Sequence, residues 1–185
     1  FDNIILSAKS TSIRETVRAN FLLSERYPYP LHIGITEAGP GVRGLVKNAA
    51  GIGILLNQGI GDTIRVSLTG PSISEVEAGY SILNALEIRR KGYNLISCPT
   101  CGRKRIDVEM LVNRLLPSFS PLPDGFTVAV MGCEVNGPRE AAHADLGISG
   151  APGGFVLFSK GRVVAKARTE DLEEVMKSAL REILE

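Results

Sequence analysis

The chain predicts an α/β fold made of two successive regions. Short apolar runs alternate with amphipathic helical stretches over roughly the first half, which is the pattern of repeated βα units. Each of those apolar runs ends in a polar cluster, and a second set of strands delivers all the cysteines. The division falls between residues 1–92 and residues 93–185.

In the first region, Asn3–Ser7 reads as a buried strand. A helix follows from about Ser12 to Arg26, with Val17, Phe21 and Leu22 on one side. Leu31–Ile35 is the next strand and Val42–Leu56 the next helix, stopped by Gly59 or Gly61. Thr63–Leu68 is the third strand and Ile73–Lys91 the third helix, ending at Gly92. Apolar strands separated by helices imply a parallel sheet with the helices outside it. The strand ends are Ser7-Ala8-Lys9-Ser10, Thr36-Glu37-Ala38-Gly39 and Ser67-Leu68-Thr69-Gly70. In a (β/α)₈ barrel those ends carry the active site, although three units do not close a barrel.

The second region starts near Tyr93. Asn94–Ser97 is a strand that delivers Cys98, Asp107–Leu116 a short helix, and Pro117–Gly125 a linker loop. Phe126–Met131 is a strand that delivers Cys133, and Pro138 suits the first turn of a short helix. Phe155–Ser159 and Arg162–Ala167 flank Lys160-Gly161 as a hairpin. Thr169 is expected to cap a final helix running to about Leu184, with Leu172, Val175, Met176, Ala179, Leu180 and Ile183 as its apolar stripe.

Composition narrows the function classes. At 185 residues the chain can bury a sizeable core. Lys+Arg is 21 and Asp+Glu 20, so a net charge of +1 gives no reason to expect nucleic-acid or membrane-surface binding. Aromatics are 5% and Trp is absent, which weakens a base-stacking reading. No apolar run is long enough for a membrane span. Free thiols with no export signal predict a cytoplasmic location. The opening Phe1-Asp2-Asn3-Ile4 lacks an initiator Met, as in a chain cut from something longer.

The three cysteines are the strongest signal. Cys98-Pro99-Thr100-Cys101 holds two sulfurs on one tight turn, and Cys133 arrives after enough chain for a helix and a returning strand. Glu140 follows Cys133 behind an Asn-Gly-Pro turn that can swing it back to the same point, making a Cys₃Glu set. Soft thiolates with one hard carboxylate suit iron–sulfur or zinc. A thioredoxin-like redox pair, half a zinc site or a local disulfide are the competing readings of an isolated Cys-x-x-C. An odd number of cysteines excludes a fully paired disulfide framework.

Other residues carry weaker signals. Lys9 and Glu37 lie just past strand ends, where a Lys can hold a phosphate and a partly buried Glu can move protons, or where both can be ordinary surface ions. Arg65 lies inside a strand, and if inward-facing needs an anion or carboxylate to offset burial. Gly51-Ile52-Gly53 and Gly59-Ile60-Gly61 lack phosphate-loop spacing and read as helix packing and C-capping. His32 and His143 have no metal-ligand spacing.

Four segments together resemble the 4-hydroxy-3-methylbut-2-en-1-yl diphosphate synthase family, the iron–sulfur reductases of the methylerythritol phosphate route to isoprenoids. They are Leu31-His32-Ile33-Gly34-Ile35-Thr36-Glu37-Ala38-Gly39, the run from Gly59 through Arg65 to Thr69, Ser97-Cys98-Pro99-Thr100-Cys101-Gly102-Arg103, and Met131-Gly132-Cys133-Glu134-Val135-Asn136-Gly137-Pro138-Arg139-Glu140-Ala141. The resemblance implies the last three βα units of a TIM-type barrel followed by a small α/β domain. That domain would hold a [4Fe–4S] cluster on Cys98, Cys101, Cys133 and Glu140. It further implies Lys9 as a diphosphate ligand, Glu37 as an active-site acid, and Arg65 and Ser67 in the same pocket. The implied substrate is 2-C-methyl-D-erythritol 2,4-cyclodiphosphate, the implied electron source flavodoxin or ferredoxin, and the implied assembly a homodimer when full length. Arginines that clasp the diphosphate from early barrel strands are absent, so the fragment by itself is expected to be inactive. A zinc-stabilised, non-enzymatic interaction module is the competing class. It would share the cysteines but has no reason to place Lys9 and Glu37 at strand ends.

Overall fold

Helix α1 (Ile13–Arg26) starts where Ser12 takes an extended backbone and its hydroxyl accepts the Glu15 N–H. Its core-facing side carries Val17, Phe21 and Leu23, whereas Leu22, expected inside, is 40% exposed. The structure, a computed structural model, describes residues 3–99, 101–119, 121–134 and 140–185. They form two compact units, Phe1–Lys91 and Gly92–Glu185.

In the first unit, β1 (His32–Gly34) pairs in parallel with β2 (Thr63–Arg65), in the register His32↔Thr63 and Gly34↔Arg65. Between them runs α2 (Gly41–Leu56), and α3 (Ser72–Ala85) follows β2. Leu31, Ile33, Ile52, Leu55, Val66, Ala78 and Ile82 bury the helix-facing side of this sheet. Gly51 is packed so closely that an added Cβ would lie 2.4 Å from Ile35 Cδ1. Gly59, at φ 72°, carries the chain out of α2 in the left-handed region.

The expected strand Asn3–Ser7 is reduced to one parallel bridge, Leu6↔Leu31. The segment still runs beside β1: His32 N–H donates to Leu6 O at 2.8 Å and Thr36 N–H to Ser10 O at 3.3 Å. Between those points side chains take over the ladder. Asn20 Nδ2 donates to Ala8 O at 2.8 Å, and Ser7 Oγ donates to His32 O at 3.0 Å. β2 stops at Arg65 rather than Leu68 for the same reason. Ser67 N–H donates to Asn48 Oδ1 (3.1 Å) and Leu68 N–H to Glu75 Oε1 (2.8 Å). Helix α3 ends at Ala85 rather than Lys91, because the tail folds back: Glu87 takes φ 56° and the Asn84 side chain bonds both backbone groups of Lys91.

The second unit is a five-stranded sheet in the order β3 (Asn94–Ser97), β4 (Thr127–Met131), β5 (Leu146–Ala151), β6 (Gly154–Ser159), β7 (Arg162–Ala167). The first three strands are parallel and the last two antiparallel. β5 has no counterpart in the sequence expectations. Its Leu-Gly-Ile-Ser-Gly-Ala sequence is poor in strand formers, and burial on both faces holds it in the sheet. The expected helix Asp107–Leu116 is irregular. Asp107 caps a single turn, α4 (Val108–Met110), which widens to a π turn at Leu111–Leu115 and tightens to a 3₁₀ turn at Leu116–Phe119. Pro117 has no N–H to give to the turn before it, which accounts for the break. Helix α5 (Leu172–Leu184) starts at Asp171, with no side-chain cap, rather than at Thr169. Its buried stripe is Leu172, Met176, Ala179 and Leu180. The core under α5 contains Val128, Val130, Leu146, Ile148 and Leu157. The opposite sheet face is closed by Ala129, Met131, Ala141, Ala144 and Phe158, with Ile96 and Cys98 against them. Pro138 lies outside the described residues.

Candidate active site

Strand alternation sorts the side chains of the first unit. Leu31 and Ile33 face the helices, so His32 and Gly34 face the other way, and their register partners Thr63 and Arg65 share that face. His32 Nδ1 lies 2.8 Å from Thr63 Oγ1. Lys9 belongs to the segment that runs beside β1, and Arg65 lowers its pKa, second to partial burial. Partial burial, then Lys9 and Arg65, likewise lower the pKa of His32. These three groups therefore feel one another. Neither Lys9 nor Arg65 has an ion-pair partner among the described residues. Two cations near enough to influence one another, with no ion-pair partner among the described residues, form an attractive position for an anion.

Arg65 is exposed and closes β2, so it does not need the buried counter-ion expected of an inward strand residue. Glu37 is likewise exposed rather than partly buried, at φ 52°, a left-handed conformation unusual for a side-chain-bearing residue. Ser67 is fixed through its backbone: Asn48, fully buried in α2, accepts its N–H and donates to its carbonyl at 2.9 Å. A hollow of about 360 Å³ along β2 and α3 touches Arg65 but is not lined by Lys9, Glu37 or Ser67.

In the second unit, parallel pairing of β3 and β4 brings two cysteines to one sheet end. Cys98 N–H donates to Val130 O at 3.3 Å. Gly132 N–H then donates to Cys98 Sγ at 3.0 Å, and Arg105 N–H donates to Gly132 O at 2.8 Å. Gly132 is thus clamped between the thiol of Cys98 and the turn after Cys101, with Cys133 next along the chain. A Cβ on Gly132 would sit 3.4 Å from Cys98 Sγ and from Lys104 Cβ, and one on Gly150 of β5 would sit 2.7 Å from Gly132 O. All three thiols are free: Cys133 is buried, Cys98 half-buried and Cys101 exposed. Cys133, Glu134 and the turn Gly102–Arg105 line a cleft of about 280 Å³. Arg105 Nε pairs with Glu134 at 2.9 Å. Its own backbone N–H and, to a lesser degree, Arg105 hold the Glu134 carboxyl below its usual range.

Of the four expected ligands, Cys98 places its sulfur against the backbone of Gly132, the residue before Cys133. Cys101 sits on the exposed turn, and Glu140 is exposed at the head of a turn whose Ala141 and Ala144 pack on the sheet near Cys98. Among the described residues no three His, Cys, Asp or Glu side chains gather tightly enough to hold a metal. The connection 135–139 lies outside them. The donor chemistry nonetheless fits an iron–sulfur group: three free thiols, a peptide N–H aimed at one sulfur, and Arg103 and Lys104 in the cleft that Cys133 lines, to compensate negative charge. His143 is exposed. The sequence signals assigned no role to His32, Thr63, Asn48 or Gly132. Period-two alternation from Arg65 back to Thr63 and across to His32 would have found the first two.

The class so defined is an α/β protein with a barrel-type βα unit and a separate thiol-bearing sheet unit. Residues 1–80 match the family model described as the GcpE TIM-barrel domain, and residues 94–182 match the GcpE protein C-terminal domain. The chain belongs to the GcpE family. It is 47% identical over 184 residues to a Geobacter sulfurreducens protein named 4-hydroxy-3-methylbut-2-en-1-yl diphosphate synthase (flavodoxin), an alignment covering 100% of this chain and 52% of that protein. Relatives of the same name from Ruminiclostridium cellulolyticum and Desulfotalea psychrophila are each 46% identical, over 96% and 100% of this chain and 50% and 51% of theirs. The chain spans about half the length of the curated relatives it matches. Among the described residues, no helix is long and apolar enough to cross a membrane.

Proposed function

We propose that this chain carries the last three βα units of a TIM-type barrel and the cluster-binding domain of a [4Fe–4S] reductase. The reaction is conversion of 2-C-methyl-D-erythritol 2,4-cyclodiphosphate to 4-hydroxy-3-methylbut-2-enyl diphosphate. The observation that supports the reading is the hydrogen bond from Gly132 N–H to Cys98 Sγ, which sets the Cys98 thiol against the residue before Cys133, whose cleft holds Arg103, Lys104 and Arg105. Cys98, Cys101, Cys133 and Glu140 would hold the cluster, whose chemistry is delivery of electrons one at a time, two per turnover. Flavodoxin or ferredoxin supplies those electrons, and the relatives' names support the former. Lys9 and Arg65 hold the diphosphate by charge, and Ser67 presents its hydroxyl from a backbone fixed by Asn48. Glu37 gives a proton to the departing hydroxyl, which leaves as water while the ring C–O bond to phosphate opens. The full-length protein works as a homodimer. The zinc-module alternative draws no support from the family assignment.

Iron and acid-labile sulfide analysis of anaerobically purified chain tests this reading. Iron and sulfide in equal amounts, with broad visible absorption, support it. Stoichiometric zinc without sulfide would overturn it.

A further inference from the structure

The parallel register stacks two rows on the cation-bearing face of the first unit. Gly34 of β1 and Arg65 of β2 are partners, with Lys9 beyond them on the adjoining segment. One pleat below are His32 and its partner Thr63, with Ser7 bonded to the His32 carbonyl. Gly34 has no side chain, so nothing on β1 stands between the imidazole row and the cation row. A Cβ there would lie 2.5 Å from Arg65 O. The ring is half-buried and makes one hydrogen bond among the described residues, to Thr63 Oγ1 at 2.8 Å. The charged groups facing it are Lys9 from the segment before α1 and Arg65 from β2, both positive. Asp62, on the loop into β2, is committed to the Leu31 N–H at 2.7 Å.

We propose that His32 is a third, conditional cation of the Lys9–Arg65 site. It is neutral while the site is empty and protonated when a diphosphate-type anion binds. This rests on the reading of Lys9 and Arg65 as a diphosphate site and adds a group to it. The physics is reciprocal coupling. With the site empty, partial burial and two neighbouring cations make a third charge unfavourable, an arrangement that a lowered His32 pKa accompanies. An anion that offsets Lys9 and Arg65 reverses the sign of the local field, and the imidazole takes a proton from solvent. Binding then tightens as pH falls, by up to about tenfold per pH unit across the window in which His32 changes state.

Inorganic pyrophosphate titrated calorimetrically into the 185-residue chain, in buffers of different ionisation enthalpy, counts the protons taken up. Comparison with His32→Gln cancels the ionisation of pyrophosphate itself. Both proteins carry His143→Gln, which removes the remaining histidine. The expected result is a greater proton uptake by the His32 protein, approaching one per anion bound. NMR of the His32 ring Cε1–H, with and without pyrophosphate, reads the same change with the His32 side chain intact. It should show a higher pKa in the loaded protein. Equal proton counts together with an unmoved His32 titration overturn the inference and leave the anion site standing. Failure of pyrophosphate to bind overturns both.

Discussion

At the scale of single residues, two glutamates separate by position. Glu37 follows β1 on an exposed, left-handed residue in the first unit, and Glu140 opens the turn that packs on the thiol-bearing sheet. In the full-length enzyme, Glu37→Gln keeps shape and polarity but removes the proton. Turnover should fall by about 10²–10⁴-fold, the usual contribution of a general acid, with the electron paramagnetic signal unchanged. Glu140→Ala should change that signal or the iron content. The reverse pattern would exchange the two roles. Cys98→Ser should cost most of the bound iron after anaerobic purification, since it removes the sulfur that Gly132 N–H addresses. Full iron and sulfide in that variant would remove Cys98 from the ligand set. His32 also makes a pH statement. Its pKa is lowered in the fold from an ordinary 6.5, so the unfolded chain binds more protons, and the stability it contributes is present above that value and lost as pH falls below it. The fall in urea midpoint between pH 7 and pH 5 should therefore be smaller in His32→Gln, and an identical fall would show that His32 does not couple to folding.

At the scale of elements, the chemistry-bearing loops are held by side chains reaching across from helices. Asn48 sits fully buried in α2 and bonds Gly44 O, Ser67 O and Ser67 N–H. Asn48→Ala strands both backbone groups of Ser67 in a part-buried position. Leaving such groups unpaired costs about 1–3 kcal/mol, which a urea or thermal melt would resolve. The same substitution should weaken pyrophosphate binding more than it disturbs iron loading, because Ser67 and the cysteines lie in different units. Equal effects on both would argue for general unfolding instead. The thiol end has its own brace: Gly132→Ala would set a methyl 3.4 Å from Cys98 Sγ and from Lys104 Cβ, at van der Waals contact with both.

At the scale of the molecule, the two units are unequally self-sufficient. Among the described residues, the second has a five-stranded sheet with a core on either face, whereas the first has a two-strand ladder and an interrupted third segment. Residues 92–185 expressed alone should give a dispersed amide NMR spectrum, and residues 1–91 should not. A collapsed spectrum for 92–185 would mean that this sheet depends on the rest of the protein. The chain covers about half of its relatives, so its turnover alone should be negligible. Rates comparable with a full-length relative would show that the part of the relatives outside the aligned half is dispensable.

The sequence by itself determined the βα alternation, the hairpin of β6 and β7, the stripe on α5 and the family, because these rest on local periodicity and on motifs read in order. It also singled out Lys9, Glu37, Arg65 and Ser67, and Cys98, Cys101, Cys133 and Glu140 as the residues expected to hold a cluster. Where those residues stand was decided by tertiary structure. Ladder hydrogen bonds diverted to Asn20 and Asn48 shortened the first strand and β2, and burial on both faces turned a Gly-rich stretch into β5. The approach of Cys98 to Gly132, and the common face of His32 and Arg65, depend on parallel register between segments about thirty residues apart. Local sequence carries no information about that register. It is set by which apolar faces the helices cover, and a slip of one residue would turn each of those side chains to the other side.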